Sequence, residues 1–200
     1  MNIKISEPET RQIQVLGEAM GQLLTASTDE AELDRFDYSL PIDSYTVLPA
    51  DLLQGKIRSG ARLSGSRYLI MDGDNPIANA ELRFEDKSKI PQFSGLNRGK
   101  LTKTIVDAMV FLERSELSDE AEYELRLIEF LPLYFMSLWL HSASSPSNDR
   151  FIVLSMEEKW MSETGFSLAK ESELTWSLRE SYLRSLNDEV GDFPDVPDSN

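Results

Sequence analysis

Apolar positions recur at spacings of three and four from Ile13 through Leu16, Met20, Leu23 and Leu24, which predicts a helix over about residues 7–25 with one buried face. Ser6 and Glu9 stand at capping-box spacing just ahead of it, and Pro8 falls in a first turn that needs no N–H. Residues 26–50 are acidic and mixed, broken by Pro41 and Pro49, and read as an irregular connection with a short helix near Leu52. From Ser66 the period changes to two. Strands over 66–71 and 77–84 flank Asp72, Gly73, Asp74, Asn75 and Pro76, a hairpin with a loop of about five residues. The second strand alternates Ala78, Ala80, Leu82 and Phe84 with Asn79, Glu81, Arg83 and Glu85, so one face is expected to be wet.

A second amphipathic helix follows over about 98–114, its stripe made of Leu101, Ile105, Ala108, Met109 and Leu112. Strands are predicted over 122–131 and 133–141, separated by Pro132, and over 150–155 after a Ser-rich loop. The run from Leu133 to Leu140 is apolar on both phases and is expected to be central and covered on both faces. Helices close the chain over about 156–164, ending at Gly165, and 171–186, with Leu174, Leu178, Tyr182 and Leu186 spaced by fours. The expected fold is α+β: an antiparallel sheet of about five strands with helices on it, one domain over 1–186, then an acidic disordered tail over 187–200.

Composition narrows the function. Thirty-five Asp and Glu against 20 Lys and Arg give a net charge of −15, which repels phosphate backbones and anionic membranes. With no Cys and a single His, His141, no thiolate or imidazole metal site is expected, and no cofactor motif is present. The N-terminus lacks the apolar run of a signal peptide, and the longest apolar stretch, Leu127 to Leu140, is interrupted and shorter than the ~20 residues of a spanning helix. A cytoplasmic protein without membrane or nucleic-acid partners is the expectation.

Only residues 51–100 carry a positive balance, nine bases against six acids. Within them Lys56, Arg58, Arg62 and Arg67 stand among Gly55, Gly60 and Gly65, the makings of an anion-gripping loop. The plainer expectation is a solvated loop whose arginines pair with the protein's own carboxylates. Glu129 continues the phase of Tyr123, Leu125 and Leu127, which would place a carboxylate on the core face, the setting of a raised pKa and a general acid. A bulge near Ile128 that turns Glu129 outward is the plainer expectation there.

His141 beside Ser142 invites a nucleophilic reading, but adjacent strand residues face opposite ways and a polar strand terminator is expected. Asp72 and Asp74 resemble the start of a calcium loop, yet position 12 of such a loop is Arg83, which leaves turn chemistry. Trp160 and Trp176 in the closing helices are expected to seal the core, with anchoring of a partner as the alternative. No convergent catalytic set is present. The sequence therefore points to a non-enzymatic, acidic interaction or regulatory module with a protein partner or a second copy of itself. The alternatives are a small-molecule enzyme using Glu129, and an acidic mimic of nucleic acid that occupies a DNA-binding protein.

Overall fold

The computed structural model describes residues 2–25, 36–85, 89–115, 117, 122–155 and 165–191. Their elements run β1 (Asn2–Lys4), α1 (Thr10–Thr25), β2 (Phe36–Tyr38), β3 (Ile42–Thr46), α2 (Pro49–Leu53), α3 (Ile57–Gly60), β4 (Arg62–Asp72), β5 (Asn75–Glu85), β6 (Ile90–Asn97), α4 (Lys100–Arg114), β7 (Glu122–Phe130), β8 (Phe135–Ser142), β9 (Arg150–Ser155) and α5 (Glu171–Gly191). All nine strands belong to one sheet, in the order β6-β5-β4-β3-β7-β8-β9, with β1 paired to β7 and β2 to β4.

The sheet is larger than the expected five antiparallel strands, and it is mixed. Both β1 and β3 run parallel to β7, β1 opposite Glu122–Glu124 and β3 opposite Arg126–Glu129. On its other side β3 pairs antiparallel with β4 over Arg67–Arg62, and β2 takes the far end of β4 at Ile70–Asp72. The omissions have physical causes. β3 buries Ile42 and Ser44 on one face and half-buries Asp43 and Tyr45 on the other, and with Asp43, Ser44 and Thr46 among its five residues no apolar alternation marks it. β6 holds Pro91 and Gly95, which read as breakers but are tolerated on an edge strand.

The hairpin loop also tightens. Asp72 pairs with Asn75, leaving a two-residue turn of Gly73 and Asp74 with Gly73 at φ +59°, where a primed turn needs glycine. Helix α1 starts at Thr10 rather than 7, because Ser6 Oγ donates to Asp43 Oδ2 at 2.8 Å instead of capping the helix. Pro132 falls in a 3₁₀ turn over Leu131–Leu133, and Tyr134 takes a left-handed conformation (φ 47°), so β8 begins at Phe135 rather than 133. Helix α5 passes the expected end at 186 and reaches Gly191, since Asn187 does not break it and the next breaker is Gly191 itself. The predicted helix over 156–164 and residues 192–200 of the acidic tail lie outside the described residues.

Helices cover both faces. On one, α4 lays Ile105, Ala108 and Leu112 over Leu69, Leu125, Leu127, Leu138, Leu140 and Ile152. On the other, α1 seats Leu16 and Met20 on Tyr68, Ile70, Ala80 and Leu82. Farther along that second face α5 seats Leu174 and Leu178 on Phe130, Phe135, Trp139 and Phe151, beside Leu52 of α2 and Ile57 of α3. Strand β8 is thus covered on both sides, as its two apolar phases require. No helix among the described residues is long and apolar enough to cross a membrane.

Candidate functional site

Glu129 is inside. The register of β7 with β8 runs unbroken from Tyr123↔Ser142 to Phe130↔Phe135, so the expected slip at Ile128 does not occur. The strand buries both phases instead: Ile128 and Phe130 face α5, and Glu129 follows Leu127 toward the α4 side with 5% of its surface exposed. Its partner is Arg67, the equally buried residue of β4. Arg67 Nη2 donates to Glu129 Oε1 at 3.0 Å and to Glu81 Oε2 at 3.1 Å, while Nη1 donates to Asn79 Oδ1 at 2.7 Å. Arg83 Nη2 lies 3.8 Å from the second oxygen of Glu129. Asn79 Nδ2 then donates to Thr102 Oγ1 at 2.8 Å, tying the cluster to the first turn of α4. Two arginines balance two glutamates. The carboxylate is an acceptor in a network that joins β4, β5 and β7, in which Arg67 Nε is left buried without a hydrogen-bond partner.

The basic stretch is not a loop. Its glycines meet local demands of the backbone: Gly55 has φ +72°, a Cβ at Gly60 would sit 2.6 Å from Asp51 Cβ, and one at Gly65 would sit 2.0 Å from the Leu82 carbonyl oxygen. The four cations face different partners. Lys56 Nζ donates to Gln54 Oε1 at 2.8 Å, Arg58 pairs with Glu171 at 3.7 Å, Arg62 with Asp51 at 3.4 Å, and Arg67 with Glu129 and Glu81. Asp72 and Asp74 flank and fill the hairpin turn, and no group of ligands able to hold a metal occurs among the described residues.

His141 is oriented by a residue that sequence reasoning passed over. Asp149, wholly buried, accepts the Ser142 N–H at 2.8 Å through Oδ1. Its Oδ2 accepts the Trp139 indole N–H at 2.8 Å and lies 3.3 Å from His141 Nδ1. Ser142 Oγ turns instead to Ser144 Oγ, 3.2 Å away, so no Ser-His pair forms. Beside this group the Arg126 guanidinium carbon lies 4.9 Å over the rings of both Tyr45 and Trp139, and Glu124 binds its Nε and Nη2. Burial pushes the Asp43 carboxyl up, against the downward pull of the Ser6 hydroxyl and Arg126. The lone Asp closing a polar loop next to the lone His was the signal available in the sequence.

No protein family, curated protein or solved structure matches this chain.

The cleft that borders Glu129 is tight. It lies between α2, α3, α5 and β7, is lined by Leu52, Ile57, Ile128, Phe135 and Leu178, and has no room for a water molecule. The outside differs. Trp176 on α5 is 67% exposed, and Leu183 and Leu186 farther along are each 37% exposed. They stand seven and ten residues beyond Trp176, about 20° and 80° around the helix from it, so they form one outward stripe roughly 15 Å long. The same helix is anchored through Leu174 and Leu178, each about 160° from Trp176, and through the Tyr182 ring next to Leu186, which meets the Phe130 ring edge-on at 5.2 Å. Trp160 lies outside the described residues.

Proposed function

We propose that this protein is a non-enzymatic interaction module whose working surface is the outward face of α5. The observation that supports the reading is the exposure of Trp176, at 67%, in line with Leu183 and Leu186 on a helix already fixed to the sheet by its other face. A large aromatic in water on a rigid element is the usual anchor of a protein contact. Around it, the charged groups that would serve catalysis are engaged in internal bonds: Glu129 by Arg67, and Asp149 by Trp139, Ser142 and His141.

Affinity capture with immobilised wild-type protein and Trp176→Ala in parallel tests this. A protein retained by the wild type and lost from the variant, with both giving the same circular dichroism, is the expected result. An identical set of captured proteins would rule out the helix face as the working surface.

A further inference from the structure

We infer that the outer edge of β6 takes an extended segment of another protein whose N-terminal end is acidic, added to the sheet as an antiparallel strand. This surface is separate from the outward face of α5 and goes beyond the reading given above.

β6 stands at the end of the sheet, and among the described residues its only strand neighbour is β5. An edge presents unpaired backbone N–H and C=O groups, which proteins commonly guard with charged side chains. The eight residues Ile90–Asn97 carry no charge. Pro91 and the extra residue Ser94, which has no partner on β5, blunt the strand without covering it. Phe93 and Leu96 are half-buried against the core beneath α1, so apolar side chains of an added strand would extend that core.

Charge gives the edge a direction. At its start, Glu85 of β5 stands opposite Ile90. At its end the chain runs on through Arg98 and Lys100, both exposed and neither with an ion-pair partner among the described residues. The first turn of α4 adds no acid there, and Glu81, opposite Gly95, is held by Arg67 and Arg83. From Lys89 to Val106 the chain has four bases and no acid, within a net charge of −15. A strand laid antiparallel to β6 begins beside Asn97, so acidic residues at its start meet Arg98 and Lys100 while the rest pairs backbone to backbone. A second copy of β6 brings no acid to that end, and two chains of this net charge repel.

The probe is a synthetic peptide of about ten residues with capped termini, alternating threonine and valine after a pair of N-terminal glutamates, labelled for fluorescence anisotropy. Its comparators carry lysines in place of the glutamates, or the glutamates at the C-terminal end. Saturable binding about tenfold tighter than that of either comparator is expected, with about a tenfold loss and a flatter salt dependence in Arg98→Gln/Lys100→Gln. N-methylation of one alternate set of peptide amides should abolish binding and that of the other set should leave it intact, because only alternate N–H groups of an added strand face β6. Trp176→Ala should bind the peptide like the wild type, which separates this surface from α5. Equal binding of a comparator, or equal effects of the two N-methylated sets, overturns the inference. Self-association in sedimentation velocity that Ser94→Lys removes would assign the edge to a second copy and overturn it too, and so would an absence of binding by any of the peptides.

Discussion

Replacing Arg67 with Met removes the centre of the buried network and should be among the costliest substitutions in the protein. The side chains of Arg67 and Glu129 are 5% and 6% exposed, so the charge left behind has little water to turn to. Breaking a buried pair by removing one partner typically costs about 3–5 kcal/mol. Two features set the value here. Arg83 remains 3.8 Å from Glu129, against 3.0 Å for Arg67, and by distance alone keeps at most about four-fifths of the attraction. Being 44% exposed, it is weakened further by solvent screening. In the other direction, Asn79 Oδ1, fully buried, loses its donor. A net loss of about 3–4 kcal/mol follows, which for a chain of this size moves the urea midpoint by about 1–2 M. The companion variant Arg67→Met/Glu129→Leu removes the stranded carboxylate and should regain at least about 1 kcal/mol relative to Arg67→Met. An Arg67→Met midpoint within about 0.2 M of wild type would refute the reasoning, as would a double variant whose loss equals the sum of the two single losses.

Gly65→Ala should prevent folding or cost more than about 3 kcal/mol, because its Cβ would land 2.0 Å from the Leu82 carbonyl oxygen, whereas Gly95→Ala meets nothing within 4 Å and should leave the melting temperature nearly unchanged. Leu138→Ala, at a fully buried position in β8, should cost about 2–5 kcal/mol by urea titration. Burial pushes the Tyr68 phenol up from 10.0 to about 12, so its contribution is complete below pH 10 and is lost as the pH rises through about 12. Tyr68→Phe should flatten that alkaline loss and, by orphaning Gln12 Oε1, cost about 1–2 kcal/mol at pH 7. With the Asp43 carboxyl raised by burial, stability from this group is present in acid and lost as the pH climbs past its folded value; Asp43→Asn should therefore raise the urea midpoint at pH 7 and confer no gain at pH 3.

What could be read in advance divides along physical lines. Elements whose burial shows as a period were legible: α4, β8 and β9 lie within a residue or two of their expected limits, because each sets a clean apolar face against its neighbours. The two apolar phases of β8 also foretold its two covered faces. Strands held by long-range pairing were not legible. Nothing local in Asn2–Lys4 announces a partner at Glu122–Glu124, and the polar side chains of β3 hide a strand that lies at the middle of the sheet. The same limit applied to chemistry. The phase of Glu129 was visible in β7, but its counter-charge comes from β4, 62 residues earlier, and only the stacking of strands brings them together. The exposure of Trp176 turned on which side of α5 meets the sheet, and the four-residue spacing of Leu174, Leu178 and Tyr182 already indicated that side.

The position of β3 has a kinetic consequence. On one side of it lies the β4-β5-β6 meander and on the other β7-β8-β9, each joined by antiparallel neighbours close in sequence. Such units can close early, because little chain entropy is lost in bringing their strands together. The parallel seam between β3 and β7 must instead close a loop of about 80 residues, and β1 must wait for the chain to reach Glu122. Assembly is therefore expected to proceed as two halves meeting at one five-residue strand, with that long-range closure the slow step. During synthesis β3 is made before β4 and can pair with it at once, but its other edge stays open until β7 is made, an interval in which an unpaired strand can pair with another chain.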